Sequence, residues 1–285
     1  MNGFLLIDKP KGVTSANCVY QLRKFLGIKK IGHCGTLDPL ATGLLPICLG
    51  EATKFSSFTT DLDKTYEVEI KFGIETDTGD IDGEIISKCS NNFNEIDVKS
   101  VLRQFTGSQM QTPPMFSALK IKGKPLYSWA RKGVFLLRKE RNIAIHQIDL
   151  LDFGYDYVRL RVSCTKGTYI RSLAESIGKA LNTKAIVFSL RRVGIGEIKS
   201  GDMIDMPKGQ FCDLSSSLLP SDFLLKHLSK AILDQEDAKK VRNGQSIDYN
   251  AQLEKKGLVR IYTNKSFMGI GELNTSNRLS PRRLV

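Results

Sequence analysis

Residues 64–73 read "KTYEVEIKFG". Tyr66, Val68, Ile70 and Phe72 share one parity, and Thr65, Glu67, Glu69 and Lys71 share the other. A period of two over that length is a β-strand with one buried and one wetter face. "YVRLRVSC" (157–164) repeats the pattern, turning Val158, Leu160, Val162 and Cys164 inward. Strands of this kind face a core on one side only, which argues for largely antiparallel pairing. Helical periods lie between them. "TSANCVYQLRKFLG" (14–27) offers Thr14 or Ser15 as N-cap, aligns Val19, Leu22 and Phe25, and stops at Gly27. "IDVKSVLRQFTG" (96–107) aligns Val98, Val101, Leu102 and Phe105. "TYIRSLAESIGKAL" (168–181) aligns Ile170, Leu173, Ile177 and Leu181. The expected class is α+β, with a largely antiparallel sheet that has one face against helices.

Working outward, "GFLLID" (3–8) is a short strand ending at Lys9-Pro10, "EATKFSSFTT" (51–60) a brief helix, and "DTGDIDG" (77–83) a turn cluster. No internal repeat or low-complexity run interrupts the chain. "FLLKHLSKAIL" (223–233) reads as a join. Beyond it, strand-like pieces with glycine turns, such as "GLVRIYTNKSFMGIGEL" (257–273), suggest a small β-rich appendage of about sixty residues.

The 285 residues are 41% hydrophobic and 25% charged, an ordinary globular balance. The N-terminal "MNGFLLIDKPKG" lacks the flanks of a signal peptide, and no window approaches the length of a membrane span. Cys18, Cys34, Cys48, Cys89, Cys164 and Cys212 are scattered without a C-x-x-C pair, and only His33, His146 and His227 could join them. Neither zinc ligation nor a disulfide framework is expected. The expectation is a cytoplasmic, reduced, metal-free protein. A net charge of +12 suits a polyanionic partner. "KIKGKPLYSWARKGVFLLRKERN" (120–142) crowds Lys and Arg around Tyr127 and Trp129. Such cations hold phosphates while aromatics lie against unpaired bases; a solvated helix face over a core Tyr127 and Trp129 is the alternative. "SLRRVG" (189–194) and "SPRRLV" (280–285) read as smaller basic knots.

"GHCGTLDPLATGLLPICLG" (32–50) sets a single carboxylate among glycines, prolines and apolar residues. Asp38 is the only acid between Asp8 and Glu51. Flanked by Leu37 and Pro39, it either bears a desolvation cost or finds a cation. Gly32, Gly35 and Gly43 allow close backbone approach or positive φ, so the loop could present one acid rigidly, as nucleophile or base. Asp38-Pro39 is also a helix start, with Asp38 as N-cap of "PLATGL", and on spacing alone that reading is preferred. His33 beside Cys34 is a poor thiol–imidazole pair, because catalytic pairs meet in space and not in sequence.

Further blocks accompany that loop in order: "LLIDKPKGVTS" (5–15), "DKTYEVEIKFGIETDTGDIDG" (63–83), "PPMFSALKIKGKPLYSWARKG" (113–133), "CTKGTYIRSLAESIG" (164–178) and "SLRRVGIG" (189–196). Across residues 3–200 the set resembles the TruB-type tRNA pseudouridine-55 synthases, relatives of the dyskerin/Cbf-type synthases. Cys34-Gly35-Thr36 departs from the small or hydroxyl residues commoner there. The resemblance implies the pseudouridine synthase α+β fold, a central mixed, mostly antiparallel sheet with flanking helices, as a catalytic domain over 1–222 with an RNA-clamping insertion at about 111–142 that suits ordering on RNA. "GIGEL" and "SPRRLV" resemble parts of a PUA-like RNA-binding domain, placed over 223–285.

The site that the resemblance implies follows. Asp38 is the nucleophile, with attack at C6 of the base and at C1′ of the sugar both open. Tyr66 stacks on the extruded uracil and is a candidate for moving the C5 proton. Arg171, whose charge in the first turn of a helix opposes the dipole, pairs with Asp38. Tyr169 and Leu190, otherwise read as core, line the uracil pocket with Tyr66. His33 packs against the flipped nucleotides, and Lys9 shapes the site. The base must leave its stack to be reached. No cofactor or metal is implied, which agrees with the lack of Walker or Rossmann patterns. The implied partner is tRNA through its T-arm stem-loop, with no membrane and no obligatory protein partner or guide RNA. A non-catalytic RNA binder on the same fold is the rival reading.

Overall fold

The computed structural model describes residues 1–207, 214–250, 253, 256–264 and 266–285; Cys212 lies outside the described residues. β1 (Gly3–Lys9) buries Phe4 through Ile7 without alternation, as a strand covered on both faces must. α1 (Ser15–Leu26) is capped by Thr14, whose side chain accepts from the Asn17 N–H at 3.0 Å, and it ends on Gly27 at φ 64. β2 (Ile31–His33) and β3 (Thr42–Leu49) follow. β3 runs antiparallel to β1 on one side and to β2 on the other.

No helix covers "PLATGL". Asp38–Ala41 closes one turn, with the Ala41 N–H on the Asp38 carbonyl at 3.1 Å, and the strand starts at Thr42. Tertiary packing overrides the Asp-Pro signal. Gly43 lies at φ +96, where a Cβ would stand 2.3 Å from the Arg192 carbonyl oxygen. Leu45 and Ile47 enter the main core while Leu44 enters a separate cluster on the other face. The Leu44 and Pro46 carbonyls point away from β1, accepting from Arg192 Nε at 2.7 Å and the Cys34 N–H at 2.9 Å. Pro46 therefore removes no bond from the β1 ladder.

The brief helix is a 3-10 turn (Gly50–Phe55) running into α2 (Ser56–Thr59). β4 (Lys64–Phe72) buries Val68, Ile70 and Phe72 as its parity predicts. The turn cluster at 77–83 joins a small hairpin, β5 (Ile74–Thr76) and β6 (Ile85–Lys88). α3 (Glu95–Gln104) opens with an Asn94–Asp97 capping box. After β7 (Gly107–Gln111), the short pair β8 (Lys120–Ile121) and β9 (Lys124–Pro125) leads into α4 (Leu126–Ala130). This segment has its own small core of Met115, Leu126 and Ala130, against which Trp129 is half-buried; Tyr127 is exposed beneath the Arg131 guanidinium.

β10 (Arg141–Phe153), β11 (Tyr157–Cys164), α5 (Ile170–Ala180), β12 (Ala185–Ile195), β13 (Ile198–Lys199) and β14 (Ile204–Asp205) complete the domain. The main path of the 10-stranded sheet runs β14-β1-β3-β12-β4-β11-β10-β7, with β2 beside β3 and β13 beside β12. Only β1–β14 and β3–β12 are parallel among these pairs. α1, α3 and α5 cover one face through Leu22, Val101 and Ile177. Leu219, Phe223 and Leu224 close the other face over β1 and β3. "SLRRVG" is no surface knot: it lies within β12, where Arg191 pairs with Asp8 at 2.6 Å and Arg192 is 1% exposed.

The appendage comprises β15 (Ser229–Leu233), α6 (Gln235–Arg242), β16 (Ile247–Asp248), β17 (Gly257–Thr263), β18 (Ser266–Leu273) and β19 (Arg278–Leu284). Its five-stranded sheet encloses a core of its own that includes Ala231, Val241, Val259 and Leu279. The join is packed, not loose. Leu225 meets Phe55 and Ile270, and Asp222 accepts from Tyr262 Oη and pairs with Arg260 at 3.2 Å. Among the described residues, no helix is long and apolar enough to cross a membrane.

Candidate active site

Asp38 hangs from a turn that β1 and α1 hold in place. Lys9, fully buried at the end of β1, donates from Nζ to the carbonyls of Pro10 (2.9 Å), Val13 (2.5 Å) and Pro39 (3.3 Å). Burial pulls its pKa down, and nearby Cys18 and Asp38 oppose that pull. The Gly12 N–H meets the Pro39 carbonyl at 2.8 Å. Ser15, buried at the start of α1, accepts from the Leu37 N–H at 2.8 Å and donates to the Leu37 carbonyl at 3.1 Å. Ser15→Ala leaves both Leu37 groups unpaired in a buried setting. It should lower stability by about 1–3 kcal/mol, read as a fall in the urea midpoint.

α5 supplies the cation. Tyr169 stands at its N-cap, so Arg171 leaves the helix in its first turn. Arg171 Nη2 lies 2.7 Å from Asp38 Oδ2 and donates to the Phe116 carbonyl at 2.7 Å. Nη1 donates to the Thr78 carbonyl at 2.8 Å and stands 3.6 Å from Asp80 Oδ2. A planar fork tied on both arms to backbone cannot swing, so the carboxylate is aimed by a fixed charge. The Arg171 side chain is only 4% exposed, whereas Asp38 keeps 35% of its side chain open to a ligand. Asp80 is buried behind them. Burial pushes its carboxyl up, against the Thr78 hydroxyl bonded at 2.6 Å and the Arg171 charge.

The open side of Asp38 faces a cleft of about 340 Å³ that Tyr66, Tyr169, Leu190 and Arg192 also line. Tyr66 and Arg192 are register partners across β4 and β12. Burial pushes the Tyr66 phenol up, and the Arg192 guanidinium pulls it back. Gln111 clamps the Tyr169 backbone, accepting from its N–H at 2.8 Å and donating to its carbonyl at 3.0 Å. Asp38, Tyr66, Tyr169, Arg171 and Leu190 thus surround one cavity. His33 is not among the residues lining it. It sits half-buried on β2, its Nδ1 without a hydrogen-bond partner among the described residues, and burial followed by Arg192 pulls its pKa down.

Sequence reasoning missed Asp80, Arg192 and Lys64. Asp80 gave no signal within its turn cluster, and Arg192 was hidden in an apparent basic knot. Lys64 could have been found, because it is a charged residue on the apolar parity of β4. It lines the cleft at 8% exposure and donates to the Thr60 and Leu62 carbonyls, both at 2.5 Å. Burial, then the Arg192 charge, lower its pKa from 10.5 to about 8. Because the folded value is the lower one, the unfolded chain binds more protons between those values, and stability rises with pH across that window. Relative to Lys64→Met, the native protein should gain on the order of 3 kcal/mol between pH of about 7 and about 11 in urea titrations.

The geometry combines a guanidinium-anchored carboxylate, one open face and a phenol in the same lining, in a cavity within the roughly 300–1,000 Å³ range of small-molecule sites. Such a carboxylate can be presented to a bound ligand as a nucleophile. Among the described residues no group of His, Cys, Asp or Glu is placed to hold a metal ion.

Two family models match the chain. The family described as "TruB family pseudouridylate synthase (N terminal domain)" matches residues 23–170, and "Pseudouridine synthase II TruB, C-terminal" matches residues 229–285. The tRNA pseudouridine synthase B of Dechloromonas aromatica (strain RCB) is 43% identical over 288 residues, covering 100% of this chain and 96% of the relative. That of Chromobacterium violaceum is 41% identical over 295 residues, covering 100% and 95%. Among solved structures, a chain of a Cbf5-Nop10-Gar1 complex superposes with a TM-score of 0.75 at 24% identity, over 99% of this chain and 83% of that one. A chain of an H/ACA RNP bound to a substrate RNA containing 2'-deoxyuridine gives 0.75 at 22% identity, over 99% and 84%. Those two likenesses speak to the fold, which is that of pseudouridine synthases; the full-length identities speak to kinship, and the chain belongs to the TruB family of pseudouridylate synthases.

Proposed function

We propose that this chain isomerises the T-loop uridine of tRNA to pseudouridine, as a stand-alone cytoplasmic enzyme, with Asp38 as the nucleophile. The observation that carries the reading is the Asp38–Arg171 pair at 2.7 Å, open on one side to a nucleoside-sized cleft. In the reaction the N1–C1′ bond breaks, the uracil turns, a C5–C1′ bond forms, and the C5 proton leaves. Such a rearrangement calls for no redox or nucleotide cofactor. The base has to be extruded from its stack to meet a carboxylate set in a cleft. Tyr66 stacks on it, Tyr169 and Leu190 wall the pocket, and Arg171 aims Asp38. His33, outside the cleft lining, packs against neighbouring unstacked nucleotides. Residues 1–222 form the catalytic domain, and 223–285 extend the RNA contact as a PUA-like domain.

The insertion at about 111–142 is the clamp. Its base already touches the site, since the Phe116 carbonyl holds Arg171 and Ala118 and Leu119 line the cleft. Lys124 over the Trp129 ring and Arg131 over the Tyr127 ring pair cations with aromatic surface, as a backbone-and-base contact needs. RNA affinity should fall steeply with salt. Reversing the charges of Lys122, Lys124, Arg131 and Lys132 should lower the log–log slope by roughly 0.7–0.9 per lost phosphate contact. An unchanged slope in the quadruple variant would leave this segment a solvated face.

The reading is tested by tritium release from a T-arm stem-loop carrying C5-labelled uridine. The purified chain should release the label without added RNA or protein. Release only after a guide RNA or a partner is supplied would place it with guided synthases, and release under no condition would leave an RNA-binding protein.

A further inference from the structure

Among the described residues Arg192 heads the fully buried side chains by volume, at 1% exposed. Its neighbours in kind have acids: Arg191 has Asp8 at 2.6 Å, and Arg171 has Asp38 at 2.7 Å. Among the described residues no carboxylate forms an ion pair with Arg192. Its Nε donates to the Leu44 carbonyl at 2.7 Å and its Nη2 to the Gly35 carbonyl at 3.2 Å. These bonds fix the fork, yet neither neutralises it, and burying an unneutralised charge costs several kcal/mol (order of magnitude). A buried cation without an anion suits a site where negative charge arises during turnover. Two further observations say where. Arg192 lines the same cleft as Asp38, and its register partner on the adjacent strand is Tyr66.

We propose that Arg192 is a positioning residue for Tyr66, holding its phenol oxygen in place and stabilising the phenolate that accepts the C5 proton of the rejoined uracil. This rests on the proposed function and on Tyr66, the resemblance's candidate for moving the C5 proton, being the group that takes it. Once C5 has bonded to C1′, it carries both that bond and its hydrogen. The C5–H bond breaks and its electron pair forms the C5=C6 bond. The C6=N1 pair returns to N1, which takes a proton from water, and the C5 proton ends as O–H on Tyr66. The charges facing Tyr66 fit this division of labour. Burial pushes the phenol up, Cys164 on β11 and Asp38 on its turn push the same way, and Arg192 on β12 is the leading influence in the other direction. Lys64 on β4, with Arg141 and Arg171, completes the cationic lining of the cleft.

The test is an ultraviolet titration of phenolate, taken as the difference between each protein and its Tyr66→Phe counterpart. In Arg192→Gln the Tyr66 phenol should release its proton about one pH unit or more higher than in the native chain, a tenfold loss of phenolate at fixed pH. Isomerase activity should fall about tenfold or more and recover as pH rises by the same interval. Arg192→Lys keeps a charge and should stay near native in both readouts. An unmoved phenol in a folded Arg192→Gln protein overturns the proposal, as does an Arg192→Lys protein as impaired as Arg192→Gln, because then the fork serves only Leu44 and Gly35. Should Arg192→Gln not fold, Arg192→Lys decides alone. Lysine loses its charge in alkali where arginine does not, so its activity must fall at a pH where the native profile does not, and a parallel profile overturns the proposal. The titration uses no RNA, so its failure is separable from failure of the isomerase reading.

Discussion

Asp38→Asn is expected to form pseudouridine at least a hundredfold more slowly than the native chain, at unchanged RNA affinity. The substitution preserves shape, and an amide oxygen can still accept from Arg171 Nη2, now 2.7 Å from the carboxylate. The turn, held by Lys9, Gly12 and Ser15, does not depend on the Asp38 side chain at all. What is lost is the proposed nucleophile, and losses of covalent catalysts run well beyond about a hundredfold. Affinity rests mainly on phosphates, which lie elsewhere. Paired tritium-release and filter-binding measurements check this. A variant keeping more than about a hundredth of native activity would remove Asp38 from the nucleophile's role.

Arg171 should separate chemistry from folding. Arg171→Lys keeps the charge but cannot span Asp38, Phe116 and Thr78 at once, since an ammonium lacks the planar fork. A misaimed nucleophile should cost about a hundredfold in rate. Arg171→Met goes further and strands Asp80, whose buried carboxyl is already pushed up by desolvation and would be pushed further. A buried acid deprived of its cation should cost about 3 kcal/mol. The sign with pH follows: a carboxyl whose folded pKa is raised is tolerated below its ordinary pKa and destabilises as pH climbs through the folded value. Arg171→Met should therefore melt lowest at neutral pH and recover on mild acidification. Adding Asp80→Asn should restore stability and leave activity absent. Thermal melts from about pH 4 to about pH 8, with activity alongside, check all of these. A double variant that regains activity would mean Arg171 serves only to neutralise Asp80.

Apart from β1, whose short apolar run shows although both its faces are covered, the strands and helices that the sequence reveals most plainly have one wet face. β4, β11, α1, α3 and α5 each solve a single boundary between core and water, so their periods survive in the residue order. β3 is buried on both faces and loses its alternation, and its Asp-Pro entrance then mimics a helix start. β10 stays hidden for another reason: register shifts between Ile145 and Gln147 and between Leu150 and Asp152 break its parity. β12 is masked by Arg191 and Arg192, charges that pairing and burial absorb only in three dimensions. The site divides the same way. Asp38 is conspicuous as a lone acid and Arg171 as a cation at the wrong end of a helix, both local facts. Asp80 and Arg192 matter through partners far away in sequence, Thr78 excepted, and nothing near them announces it.

Conversion of one uridine of the tRNA T arm by way of Asp38 can be followed on unmodified full-length tRNA. The purified native chain and Asp38→Asn are each incubated with the transcript, and pseudouridine is mapped at single-nucleotide resolution. Conversion is expected at the T-loop uridine alone with the native chain, and nowhere with the variant. Conversion outside the T arm, or equal conversion by Asp38→Asn, would contradict that expectation.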